Sequence, residues 1–287
     1  TNACYIDGNL TVNNGKGFGL QGSADITLNT TATLTLTGTG SIGSYYINPG
    51  TLVFRDDAAN NMPTTGTITG RVKVVASTQN VTIPDRDFIG RLEVSNDSGS
   101  DRTVILGTAA GQTFNIGGDG HDDDMISGLY LSANGNGNIT LDASTYNPTV
   151  NLITSLASYT VGHIDFIGTG AGSEIFQAGN GNWSLKGNMN LTGGSFVAGG
   201  STFNFNGSGS QTQTLTTSGQ TFNNLTVSNT NATGFVFADG STIAGTFADT
   251  TATSKITFQS AATYTIANVN IAGAAGAGNT VTFQSST

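Results

Sequence analysis

The sequence predicts an all-β chain, read first as a β-solenoid (a parallel β-helix) and second as one or two antiparallel β-sandwiches. Three observations carry that expectation. Apolar and polar residues alternate in short runs, the period of a strand with one buried face. Clusters of Gly, Asn, Asp and Ser, which favour turns, bound nearly every run. Segments also resemble one another at a spacing that suits stacked repeats.

The runs follow one another along the whole chain. NLTVN (residues 9–13), ADITLN (24–29), ATLTLT (32–37) and RVKVV (71–75) come first. RTVIL (102–106), GLYLS (128–132), NITL (138–141) and HIDFI (163–167) occupy the middle. NMNLT (188–192), TFNFN (202–206), NLTVS (224–228) and KITFQ (255–259) follow. No stretch reads as a helix of three turns, because Gly, Thr, Asn and Ser are mediocre or poor helix formers. Gly alone accounts for 41 of 287 residues, about twice ordinary usage.

The internal likeness is specific. FIGRLEVSN (88–96) and FNNLTVSN (222–229) share a Phe, a short step and Leu-x-Val-Ser-Asn. KITFQS (255–260) and TVTFQS (280–285) place Thr257 and Thr282 25 residues apart. A coil of ~20–25 residues, repeated, gives roughly 12 turns and a rod about 60 Å long at one strand spacing per turn. In that phase Phe88, Leu92, Val94, Phe222, Leu225 and Val227 point inward.

Charge divides the chain into three regions that read as continuous with one another. Residues 1–102 carry 9 acids and 7 bases, residues 103–174 carry 7 acids and no base, and residues 175–287 carry two of each. The overall net charge is −9. So few bases argue against a nucleic-acid surface. No apolar run reaches the ~18 residues of a membrane span. The single cysteine, Cys4, makes neither a disulfide framework nor a cysteine metal site. It is read as a small buried hydrophobe, a free thiol or a partner in an intermolecular bond. Residue 1 is Thr rather than Met and no signal-peptide core follows it, so the chain reads as a mature, processed or trimmed form.

Residues 187–229, GNMNLTGGSFVAGGSTFNFNGSGSQTQTLTTSGQTFNNLTVSN, resemble the repeats of large bacterial surface proteins and adhesins of the right-handed parallel β-helix type. Residues 88–97 echo them. The resemblance implies an elongated, non-enzymatic protein at the cell surface or outside the cell, with no catalytic residue to carry over.

Several residue groups invite chemistry. GGDGHDDDM (117–125) approximates the nonapeptide that binds calcium between stacked coils, although Asp124 stands where that pattern has an apolar residue. Asp119, Asp122 and Asp124 are the candidate Ca²⁺ ligands, hard oxygens on a Gly-rich loop. His121 is a further candidate, and a solvated acidic loop without a metal is the other reading. No other cofactor is expected. Asp85-Arg86-Asp87 and Asp122-Asp123 could supply the general acid and base of a glycan-active enzyme or a tail-spike-like protein. Asp85, Arg86 and Asp87 read first as one surface or interface charge network with Arg91 and Glu93. His163 falls on the polar phase of its strand and reads as a surface residue.

The expected function is therefore structural: a subunit of an extracellular filament or cell-surface appendage. The alternative is an adhesin or binding module of a larger surface protein, with surface glycans as possible partners. Strand-like sequence at both ends lacks the polar cap that a solenoid needs over its last coil. Cys4, Tyr5, Ile6, Leu10 and Val12 at one end, with Val281 and Phe283 at the other, are the expected self-assembly contacts.

Overall fold

A chain whose apolar residues recur at every second position must bury one face of each strand. Here the strands do so by coiling around a single axis. The structure, a computed structural model, describes residues 4–13, 16–20, 25–29, 33–36, 41–44, 51–117, 128–153, 163–208, 212–249, 251–272 and 280–287. It is a parallel β-solenoid of about ten turns. Every strand pairing among the described residues is parallel, which removes the antiparallel sandwich.

Each turn contributes up to three strands, one to each face. The first face is a continuous ladder. It starts at Cys4–Ile6, Ile26–Leu28 and Thr51–Arg55, and passes through Gly128–Ala133, His163–Phe166, Met189–Asn190 and Gln213–Thr216. It ends at Phe235–Phe237, Lys255–Phe258 and Thr282–Ser285. The second face runs through Val81–Ile83, Arg102–Leu106, Ile139–Asp142, Glu174–Gln177 and Ser195–Val197. The third runs through Thr113–Gly117, Thr149–Ile153, Asn182–Leu185, Thr202–Phe205 and Asn224–Val227. In Ser241–Asp249 and Tyr264–Ile271 the second and third faces merge into one strand, with a register shift between Ile243 and Thr246. One short helix, Asp57–Asn60, replaces a second-face strand and packs on Val81–Ile83.

The turns are unequal. Leu52, Val72 and Leu92 stack at 20-residue intervals, whereas Leu92 to Leu129 takes 37. The uniform coil length expected from the sequence is corrected by this spread. The KITFQS repeat is also displaced. Ile256 pairs with Phe283, so the structural step is 27 residues, two more than the sequence similarity gives. A shift of two keeps every side chain on its own side of the sheet.

Two devices turn the corners. Thr67–Val75 and Ile89–Asn96 run straight from the third face into the first through Gly70 (φ 83°) and Gly90 (φ 134°). A Cβ on Gly90 would lie 2.3 Å from the Gly70 carbonyl oxygen, so the stacked corner admits only glycine. Elsewhere Asn and Asp side chains carry hydrogen bonds between turns. Asp101 accepts from the Asn138 N–H (2.9 Å), and the Asn138 side chain accepts from the Ser173 N–H (2.8 Å). Asn147 and Asn180 form a second such relay, with Asn180 accepting from Gly200 N–H at 2.8 Å. Corner N–H groups lie beyond the sheet ladders and need these acceptors. This is a physical use for the many Asn residues in so uncharged a sequence.

Inside, the expected phase holds: Phe88, Leu92, Val94, Phe222, Leu225 and Val227 are all fully buried. The middle turns are filled by an aromatic cluster of Phe176, Trp183, Phe196, Phe203 and Phe222. The Trp183 indole N–H donates to the Ala178 carbonyl oxygen at 3.1 Å.

Candidate functional site

Three places merit a chemical reading: the two end coils, a charged cluster on the first face and a cleft on the third.

At the ends, inward positions lose their cover. Cys4 stands in the inward column that continues through Ile26, Leu52, Val72 and Leu92. Leu52, Val72 and Leu92 are fully buried, yet Cys4 is exposed. Tyr5 is 62 % exposed, Ile6 and Leu10 are half-buried, and Val12 is already buried within the core. At the other end Ile256 is buried while its partner Phe283 is 47 % exposed. Phe247 is buried while its partner Val269 is 62 % exposed. Val281 is half-buried. Val269 escaped the sequence reading. Its alternating strand, TYTIANVNI (residues 263–271), resembles any internal run and carries no sign of lying at an end.

On the first face, outward residues of neighbouring turns bring opposite charges together. Lys73 lies 3.3 Å from Glu93 and 3.7 Å from Asp97. Arg55 reaches Asp97 at 3.3 Å, and Arg91 reaches Glu93 at 2.6 Å. The Arg91 guanidinium also lies 4.3 Å from the Tyr130 ring centre. Burial pushes the Asp97 carboxyl up, but Lys73, hydrogen bonds from Ser95 and Asn134, and Arg55 outweigh it and hold it below the ordinary carboxylate range. Beside this cluster is a space of about 530 Å³ lined in part by Arg91, Tyr130, His163, Asp165 and Asn190. His163 Nδ1 accepts from the Asn188 N–H, and Asp165 accepts from the Asn190 amide. Burial raises the Asp165 carboxyl despite that bond and one from Phe166 N–H.

The single network expected of Asp85, Arg86, Asp87, Arg91 and Glu93 is thereby divided. Gly90 carries the chain from the third face to the first between Asp87 and Arg91. Arg91 and Glu93 join the first-face cluster, while Asp85, Arg86 and Asp87 line a separate cleft of about 450 Å³. Asp87 Oδ1 accepts from the Asn115 N–H and amide, both at 3.0 Å, and the Asn115 amide oxygen accepts from Asn151 at 2.9 Å. Arg86 is only 6 % exposed. Burial holds its guanidinium down at about 10, with Asp87 opposing the shift, so it remains charged at neutral pH.

The acidic loop, with Asp119, His121, Asp122 and Asp124, lies outside the described residues. Among the described residues, no group of three or more His, Cys, Asp and Glu side chains is placed to hold a metal ion, and no helix is long and apolar enough to cross a membrane. Comparison with protein families, with curated proteins and with solved structures finds no match to this chain.

Proposed function

We propose that this chain is a structural subunit of an extracellular filament or cell-surface appendage, and that its copies stack through their end coils. One observation carries the reading. Inward columns that are buried through the middle turns become exposed at their outer rungs, Cys4, Val269 and Phe283. An unpaired parallel strand edge with apolar rungs is completed by another coil of the same design. A second copy supplies such a coil through the three strands of its first turn, Cys4–Ile6, Asn9–Val12 and Gly17–Leu20. Unlike ends meeting head to tail do not close on themselves, so the contact propagates. The scarcity of charge in residues 175–287 removes a repulsion that would oppose close approach. A side-chain surface of Thr, Asn and Ser, and a single thiol, suit a location outside the cell.

Cys4 provides the test. Its alkylation rate by iodoacetamide should fall as protein concentration rises, because stacking buries the inward column. Ile6→Lys should keep the rate constant at all concentrations. A wild-type rate independent of concentration overturns the reading.

A further inference from the structure

The cleft on the third face holds polar groups that the fold leaves unused. A guanidinium buried as deeply as that of Arg86 is costly unless acceptors surround it. Two of its N–H groups are satisfied: Nε donates to the Asp87 carbonyl oxygen at 3.3 Å and Nη1 to the Pro63 carbonyl oxygen. Its carbon lies 5.6 Å from the centre of the Phe88 ring. No carboxylate among the described residues forms an ion pair with it. Around it, the exposed Asp85 carboxylate and the hydroxyls of Thr64, Thr67 and Thr113 line the same cleft. None of these four side chains makes a hydrogen bond to a described residue.

Charge narrows the ligand. A phosphate, sulfate or uronate would be drawn to Arg86 but opposed by Asp85 and Asp87 on either side of it. A bare divalent cation would find two carboxylates but face a buried guanidinium. A neutral molecule that both donates and accepts meets neither conflict. Vicinal hydroxyls of a sugar donate to a carboxylate and accept from Arg and Thr, and the half-buried Ile89 offers an apolar patch to the C–H face of a ring. About 450 Å³ is at the small end of ligand sites and suits a short saccharide. We infer that this cleft binds a neutral saccharide with vicinal hydroxyls, which donate to Asp85 and accept from Arg86 and Thr113.

Saturation-transfer difference NMR on the full chain tests this. The probes are methyl α-mannoside, methyl β-galactoside, methyl β-glucoside and cellobiose, with glucuronate as the acidic comparison. At least one neutral sugar should bind, and both Asp85→Ala and Thr113→Val should weaken it about tenfold, as losing a hydrogen bond to a positioned group does. Both side chains are exposed, so the melting curves of the variants should match the wild type. Ile6→Lys, which blocks stacking, should leave sugar binding unchanged. The inference fails if no neutral sugar binds, if binding survives both substitutions, or if glucuronate is preferred.

Discussion

Phe203→Ala probes the core most sharply. Phe203 is fully buried on a third-face strand, with Trp183 below it in register and Leu225 above. Its ring stacks on Trp183 at 5.7 Å and 7°. It meets Phe196 at 5.5 Å and Phe222 at 5.4 Å, edge to face. Truncating a buried Phe to Ala costs about 3–5 kcal/mol, and more where the surroundings cannot collapse. Here the neighbouring rungs are fixed by backbone ladders on both sides, which limits collapse and favours the upper part, about 4 kcal/mol. The aromatic contacts, about 0.5–1.5 kcal/mol each, are already contained in that figure and are not added to it. Urea unfolding followed by the fluorescence of Trp183, the only tryptophan, reads these turns directly. A local probe suits a solenoid, which need not unfold as one unit. Phe283→Ala, at a half-open end, should cost less than about 1 kcal/mol. If Phe203→Ala loses no more than Phe283→Ala, the packing described for the middle turns is wrong.

Leu225→Ala should cost about 2–5 kcal/mol, since Leu225 is fully buried between Phe203 and Phe247; a loss below 1 kcal/mol in the same titration would contradict that. Gly90→Ala should destabilise strongly or prevent folding, read by circular dichroism, because its Cβ meets the Gly70 carbonyl oxygen at a φ that L-residues avoid. Burial raises the Asp56 carboxyl, but bonds from Thr78 and Ser77 more than offset this and hold it below its ordinary value. A lowered carboxyl stabilises the fold above about pH 4 and loses that contribution as pH falls through its folded value. The stability gap between wild type and Asp56→Asn should therefore close as pH drops from 5 towards 2. Asp165 and Asp249, raised chiefly by burial, act in the opposite sense, so Asp165→Asn should make the acid response steeper. Millimolar Ca²⁺ should raise the melting temperature relative to a chelator if Asp119, Asp122 and Asp124 bind it; identical curves would remove that expectation.

The sequence carries the strand phase clearly and the identity of the face poorly. Alternation reports only inward against outward, which is common to all three faces. FIGRLEVSN and FNNLTVSN show the limit: both bury their Phe, Leu and Val. Yet Leu92 and Val94 lie on the first face, whereas Leu225 and Val227 lie on the third. Face identity follows from which turn stacks on which, and that is set by corner lengths far apart in the chain. Corner length is also what the 37-residue step from Leu92 to Leu129 conceals. The third-face cleft was partly legible, since Asp85, Arg86 and Asp87 stood out as a group. Their exposure was not. A run of three charges reads as solvated surface, but the alternation that turns Asp85 and Asp87 outward turns Arg86 inward. The helix Asp57–Asn60 is too short for a periodic signal.

End-to-end stacking is the claim on which the functional reading rests, and electron microscopy of the purified chain across a concentration series tests it most directly. Threads of uniform width, one solenoid across, should form and lengthen with concentration. They should repeat along the axis at roughly 50 Å, the rise of about ten turns at ~4.8 Å each. Single short rods at every concentration, or sheets formed by side-by-side contact, would contradict it.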